Sequence, residues 1–248
     1  MVSRPLKFIH LATGLALHRI RAITLDLDDT LWEIGPVIQR AEEKLWDWLA
    51  EYYPRISIGF SVTDVLNIRV SVMDEFVDQQ YDLRFLRKKV LERLAQESGY
   101  ATDLVEPAFE VFDQARNEVE LYPDVLSNLE LLAQDFRILA LTNGNANLQE
   151  IGIAHLFHDV IMATDVGTAK PAREIFEVAI ERSGCSAIEI LHVGDHPEID
   201  IDGARKAGLR TAWMNRTGAD WPEHLQQPDL VVTTVTELRS LLQSVSRR

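Results

Sequence analysis

The first patterned stretch of the chain is Ile23-Thr24-Leu25-Asp26-Leu27, a short apolar run with β-branched residues that stops at Asp28-Asp29-Thr30 and predicts a buried strand ending in acids. From Pro36 the period changes. Val37, Ala41, Leu45, Trp48, Leu49 and Tyr52 recur three and four apart, one apolar face of a helix that Pro36 can open and Pro54 is expected to end. Similar patterns over Val62–Val77, Leu83–Glu97 and Thr102–Glu118 extend the helical reading to Leu121.

After Tyr122-Pro123 the pattern alternates. A helix over Asp124–Ala133 leads to a strand over Arg137–Leu141, a short helix, a strand over Asp159–Ala163 and a helix over Ala172–Ser183. A strand over Ile190–Val193, a helix over Asp200–Ala207 and a strand over Arg210–Met214 follow, and an apolar run at Leu230–Val232 with a helix near Val235–Leu242 closes the series. Such alternation builds a parallel sheet covered by helices. The expected fold is therefore α/β: a Rossmann-like parallel-sheet core made of residues 21–32 and 122–248, an inserted all-helical cap over residues 33–121, and an N-terminal extension over residues 1–20. The hinge of such a cap would lie near Trp32–Pro36 and Leu121–Pro123.

Composition narrows the function classes. A formal charge of −14, from 25 basic and 39 acidic residues, excludes a sequence-independent nucleic-acid binder, whose affinity comes from basic side chains neutralising backbone phosphates. Small phosphorylated ligands stay open, because at physiological salt a distant surface charge is screened over about 8 Å. The single cysteine, Cys185, cannot form an internal disulfide, and no Cys/His spacing suits structural zinc. The apolar stretch Phe8–Leu17 is interrupted by His10 and lacks a small-residue cleavage pattern, and no segment is long and apolar enough for a membrane span. A cytoplasmic protein with no membrane partner is expected; its oligomeric state is not written in these patterns.

In an open parallel sheet, ligands bind beyond the carboxyl ends of the strands. Four predicted strand ends carry polar residues: Asp26-Leu27-Asp28-Asp29-Thr30, Thr142-Asn143-Gly144-Asn145, Thr168-Ala169-Lys170-Pro171, and Gly194-Asp195 running on to Asp200. Singly, each is an ordinary turn or helix cap. The first could also be read as a calcium loop, but that needs Gly and Glu at its sixth and twelfth positions, which hold Leu31 and Val37.

Taken in order, the four strand ends resemble the haloacid dehalogenase superfamily, whose phosphatases carry an Asp-x-Asp-x-Thr first motif, a Ser/Thr second motif, a Lys third and an acidic fourth. The resemblance runs from Ile23 onward and implies that the helical block is a mobile cap. The strings Leu-Asp-Leu-Asp-Asp-Thr-Leu from Leu25, Leu-Thr-Asn-Gly-Asn-Ala from Leu141 and Leu-His-Val-Gly-Asp from Leu191 are similar to a capped branch of bacterial phosphatases. That branch acts on flavin mononucleotide and on the 5-amino-6-(5-phosphoribitylamino)uracil precursor of riboflavin.

The resemblance implies Asp26 as nucleophile and Asp28 as general acid and base, with Thr142, the backbone of Asn143 and Lys170 binding phosphate. It implies Mg²⁺ held by Asp26, Asp28 (through its carbonyl as well) and Asp195, with Asp200 orienting a metal water or Lys170. These roles match what phosphoryl transfer needs: an in-line nucleophile, charge neutralisation and a proton for the leaving oxygen. The expected partner is a small-molecule phosphate ester. A sugar-phosphate phosphatase, a phosphoglucomutase, a dehalogenase and a non-catalytic binding module are the alternatives.

Further expectations concern individual residues. His192 is expected to pack and His196 to reach the rim or the substrate. Trp32 and Glu33 are placed to touch substrate. Arg84 and Arg87, on one face of the Leu83–Glu97 helix, either reach a polar substrate group or are solvated.

Overall fold

The computed structural model describes residues 17–246. Most of the expected N-terminal extension, including the Phe8–Leu17 stretch up to its last residue, lies outside them. Six strands form one parallel sheet in the order β3-β2-β1-β4-β5-β6. They are β1 (Ala22–Leu25), β2 (Arg137–Thr142), β3 (Asp159–Met162), β4 (Ile190–Gly194), β5 (Arg210–Met214) and β6 (Leu230–Val232). All four residues of β1 are buried, as a central strand covered on both faces requires.

Five helices separate β1 from β2. They are α1 (Ile34–Tyr52), α2 (Pro54–Gly59), α3 (Val62–Glu75), α4 (Leu83–Glu97) and α5 (Val105–Arg116). The expected stop at Pro54 is a break rather than an end, because Pro54 occupies the first turn of α2, where its missing N–H costs nothing. A Ser61–Asp64 capping box starts α3, and the Asp82 side chain accepts from Phe85 N at 2.9 Å to start α4. These helices bury their own core around Leu45, Leu49, Leu91, Leu94, Phe109 and Phe112.

The remaining helices cover the sheet: α6 (Val125–Asp135), α7 (Leu148–Ile151), α8 (Ala163–Val166), α9 (Arg173–Ser183), α10 (Gly203–Lys206) and α11 (Val235–Ser246). On one face Ile23, Leu25, Ile138 and Val193 pack with Leu129 of α6 and Leu238 of α11. On the other, Leu139, Leu141 and Ile190 pack with Ile175, Phe176 and Ala179 of α9. The helix expected over Asp200–Ala207 starts earlier, as a π-helical turn over Pro197–Asp202 that runs into α10. No described helix is long and apolar enough to cross a membrane.

Candidate active site

Strand order reverses at β1, which lies between β2 and β4, so the crevice beyond their carboxyl ends is where this sheet can hold a ligand. Asp26 and Asp195 are the first residues past β1 and β4. Asp26 N donates to Val193 O at 2.9 Å, which extends the ladder by one bond and fixes the Asp26 backbone. The chain then turns sharply at Asp29, which adopts φ 58°, a left-handed conformation that Asp tolerates better than most residues. Asp29 Oδ1 also accepts from Ile34 N at 2.9 Å and so starts α1.

Lys170 lies at the centre of the cluster. Its Nζ donates to Asp26 Oδ1 at 2.5 Å and to Asp200 Oδ1 at 2.6 Å, all three side chains being buried. Asn143 aligns this lysine through the backbone: its Oδ1 accepts from Lys170 N at 2.7 Å and its Nδ2 donates to Lys170 O at 2.9 Å. Asp200 Oδ2 accepts from His196 N at 3.0 Å. Gly194 makes room for Asp200, since a Cβ there would stand 2.4 Å from the Asp200 Cγ.

Carboxylate oxygens of Asp26, Asp195 and Asp200 lie within 4.8 Å of one another. Three carboxylates face one ammonium, leaving an excess of two negative charges when all are ionised. Burial pushes Asp26 well above the usual carboxylate range, and Asp200 and Asp195 add to that against the pull of Lys170. Burial, then Asp200 and Asp29, lift Asp195 to about 7. For Lys170 burial favours the neutral form, but Asp200 and Asp26 outweigh it and the ammonium is held. Burial alone would raise Asp200, but Lys170 and His192 together outweigh it and hold its carboxyl below the ordinary range. Hard oxygen donors with an unbalanced double negative charge are the donor set a divalent cation such as magnesium requires.

Asp28 lies apart from this group. Arg116 Nη2 donates to both of its oxygens at 2.9 Å, and Trp32 Nε1 donates to Oδ1 at 2.9 Å. Arg116 is the last residue of α5, is 1% exposed, and also donates from Nε to Asn145 Oδ1 at 3.2 Å. The sequence patterns did not single it out: an arginine ending an amphipathic helix reads as a response to the helix dipole. Thr142 is buried with its hydroxyl accepting from Gly144 N at 2.9 Å. Gly144 lets Asp28 approach, since a Cβ there would stand 2.6 Å from Asp28 Oδ2.

Some neighbours differ from expectation. Trp32 is fully buried and serves Asp28 as a donor rather than facing an open site. His192 is packed, edge-on to Phe176 and bonded to Thr24 Oγ1 at 2.9 Å, as expected. The His196 Nδ1 accepts from Glu198 N and Ile199 N, so its ring caps the π-helical turn. Arg84 pairs with Asp113 at 3.2 Å and also donates to Asn145 O, in the loop after β2, at 3.5 Å, while Arg87 pairs with Glu42 at 2.9 Å.

A family model described as haloacid dehalogenase-like hydrolase matches residues 20–208. The chain belongs to this hydrolase family. Among the family's curated members, it is 28% identical over 234 residues to the 5-amino-6-(5-phospho-D-ribitylamino)uracil phosphatase YigB of Escherichia coli K12, covering 91% of this chain and 98% of that one. It is 29% identical over 245 residues to the phosphoserine phosphatase of Thermus thermophilus, covering 88% and 98%. A solved haloacid dehalogenase-like structure, described as a 2-haloacid dehalogenase from Pseudomonas syringae pv. tomato DC3000, superposes with a TM-score of 0.85 at 37% identity, covering 91% of this chain and 99% of that one. The parallel sheet with helices on both faces is the family's Rossmann-like fold, and the chain is an enzyme of this hydrolase family.

Proposed function

We propose that the protein is a magnesium-dependent phosphomonoesterase working through a phosphorylated Asp26. The observation that carries this reading is the buried Asp26–Lys170–Asp200 chain beside Asp195: a nucleophile, a fixed cation and a carboxylate group suited to a divalent ion in one crevice. Asp26 and Asp195, with the backbone carbonyl of Asp28, would hold the ion; both Asp200 oxygens are already engaged by Lys170 and His196. Once bound, magnesium supplies charge neutralisation for the phosphoryl oxygens.

An Asp26 carboxylate oxygen attacks phosphorus, and the bond from phosphorus to the ester oxygen breaks. Asp28, in its acid form, gives that leaving oxygen its proton. The Asp28 carboxylate then takes a proton from water, whose oxygen attacks phosphorus and releases inorganic phosphate and free Asp26. Thr142 Oγ1, the N–H of Asn143 and Lys170 Nζ hold the phosphoryl oxygens throughout.

The substrate is a small phosphorylated metabolite, of the riboflavin-precursor kind by likeness to YigB and of the flavin mononucleotide kind by the resemblance of its motif strings. A dehalogenase reading has one point in its favour, the description of the structure at 37% identity. That chemistry needs Asp26 but not the second acid, and here Asp28 is held by two donors as a built part of the site.

The test is phosphate release from a panel of phosphorylated metabolites, with and without magnesium, for wild type and Asp26→Asn, alongside chloride release from 2-chloropropionate. Magnesium-dependent phosphate release that Asp26→Asn abolishes supports the reading. Chloride release without phosphate release would replace it.

A further inference from the structure

The end of β5 carries none of the four polar strand-end motifs, yet it touches the loops of two of them. Trp213 of β5 stands level with Gly194 of β4, one position before Asp195. Its strand neighbours Ala212 and Met214 face the core beneath α6 and α11, so alternation turns the Trp213 ring to the other face of the sheet. There it is 4% exposed, and its Nε1 donates to Asp195 O at 2.7 Å. A buried indole N–H needs an acceptor, and on that ground alone the bond is ordinary. The same peptide unit is also held from its other side, because His196 N donates to Asp200 Oδ2 at 3.0 Å. With both its oxygen and its N–H engaged, the peptide after Asp195 cannot rotate without breaking a bond, and the direction of the Asp195 carboxylate is set with it.

Three residues beyond Trp213, Arg216 makes a second contact. Its Nε donates to Thr30 O at 2.8 Å, in the loop that begins at Asp26, and Thr30 Oγ1 donates to Asp26 Oδ2 at 3.5 Å. Asp124 Oδ1 anchors the same guanidinium through Nη1 at 3.0 Å, and the Tyr122 ring lies under it at 4.0 Å. Around Arg216 the chain folds back: Asn215 Nδ2 donates to Ala219 O at 2.9 Å, and Asn215 Oδ1 accepts from Ala219 N at 3.0 Å. That turn returns Trp221 against Trp213, edge to face with ring centroids 5.0 Å apart, and Trp221 Nε1 donates to Leu225 O at 3.1 Å. One short segment thus reaches the loop after β4 through Trp213 and the loop after β1 through Arg216.

We infer that Trp213 and Arg216 are positioning residues for the divalent cation: a brace at the end of β5 that fixes the loops after β4 and β1, and so the separation of Asp195 and Asp26. The inference rests on the proposed magnesium role of those two carboxylates and deepens it. Carboxylates that repel one another move apart when their backbones can yield, and a cation that demands near-ideal octahedral geometry is then held less tightly. Hydrogen bonds one step removed from a metal's ligands commonly carry about 10–100-fold in metal affinity. Neither side chain has a part in the attack on phosphorus or in protonating the leaving oxygen, so the chemistry with the cation in place is expected to change little.

The test is calorimetric titration of the full-length, chelator-treated protein with magnesium alone, for wild type, Trp213→Phe and Arg216→Lys. Phenylalanine keeps a ring in the buried position but has no N–H, and lysine keeps a charge beside Asp124 without the planar group that also reaches Thr30. Each variant is expected to weaken magnesium binding about tenfold. At saturating magnesium, kcat on p-nitrophenyl phosphate is expected to stay within about threefold of wild type.

If Trp213→Phe fails to fold, Arg216→Lys decides alone. Unaltered magnesium affinity, with or without a lower unfolding midpoint in chelator, would overturn the inference and leave a packing role. Weakening in one variant only would overturn the joint brace. A kcat that stays far below wild type at saturating magnesium would also contradict it, because the damage would then lie in the chemistry and not in the placement of the cation. Magnesium uptake by all three proteins with equal affinity sinks the brace alone; a wild type that takes up no magnesium sinks the metal-dependent reading and the brace with it.

Discussion

Arg116 Nη2 reaches both carboxylate oxygens of Asp28 at 2.9 Å, across 88 positions of sequence. A residue that ends α5, the last of the five helices between β1 and α6, thus grips the side chain proposed to protonate the leaving group. One guanidinium nitrogen spans both carboxylate oxygens while Nε of the same plane is held by Asn145 Oδ1, so the loop after β2 fixes the direction from which Arg116 meets Asp28. To donate a proton Asp28 must loosen one of these contacts, so the placement of α5 and the geometry of the acid are linked through one side chain.

Arg116→Ala is therefore expected to lower kcat on alkyl phosphates about 10- to 100-fold, with a much smaller fall on p-nitrophenyl phosphate, whose leaving group needs no proton. Arg116→Lys should recover only part, since one ammonium lacks the planar group that holds Asp28 through Nη2 and Asn145 through Nε together. Steady-state kcat on the two ester types, with circular dichroism to confirm folding, checks this. Equal losses on both would reduce Arg116 to a packing role.

Gly194→Ala should damage fold and site together. The added carbon would meet Asp200 Cγ at 2.4 Å against a buried ion pair. The overpacking is expected to cost about 1–3 kcal/mol, read as a lower midpoint in thermal unfolding. Activity should fall as well, because Asp200 holds Lys170. Unchanged stability would show that the loop after β4 can yield.

Stability of the metal-free protein should depend on pH with a definite sign. Asp195 is raised in the fold from 3.8 to about 7, so the protonated form is the one folding favours. Its contribution is full below its unfolded value and is lost as pH climbs through the folded value; Asp26 is displaced in the same direction. Asp200, displaced the other way, contributes above 3.8 and changes little in this window, and His192, which burial holds below its ordinary 6.5, opposes the trend only below 6.5, where the two raised carboxylates outweigh it. In chelator, the unfolding midpoint should be higher at about pH 5 than at about pH 8, and magnesium should recover the loss at the higher pH. A flat profile without metal would contradict the crowding of carboxylates.

Much of this architecture was legible in periodicity. The change from a short apolar run at Ile23–Leu27 to helical spacing from Val37, and to alternating strands and helices after Pro123, marks the sheet and the inserted helices. Polar strand ends point to Asp26, Thr142 and Asp195 only in combination, because each alone is what an ordinary turn or helix cap would place there. Lys170 came from the family resemblance, since a lysine before proline is by itself an exposed turn.

What stayed hidden were contacts joining distant segments. Nothing local distinguishes Arg116 from any cation ending a helix, and its partner lies on the far side of the insertion. Trp32 was read as facing substrate because it follows the acidic loop, but burial against Leu31 and the start of α1 turned its indole back to Asp28. Pro54 was read as a terminator, yet it sits where a new helix tolerates it.

Phosphorylation of Asp26 itself can be tested by quenching the enzyme in acid during turnover of a good substrate with magnesium and locating any added phosphoryl group by peptide mass spectrometry. One phosphoryl group is expected on the peptide containing Asp26, absent from Asp26→Asn. Rapid phosphate release by an enzyme in which Asp26 is never labelled, or labelling of a different residue, would contradict the proposed mechanism.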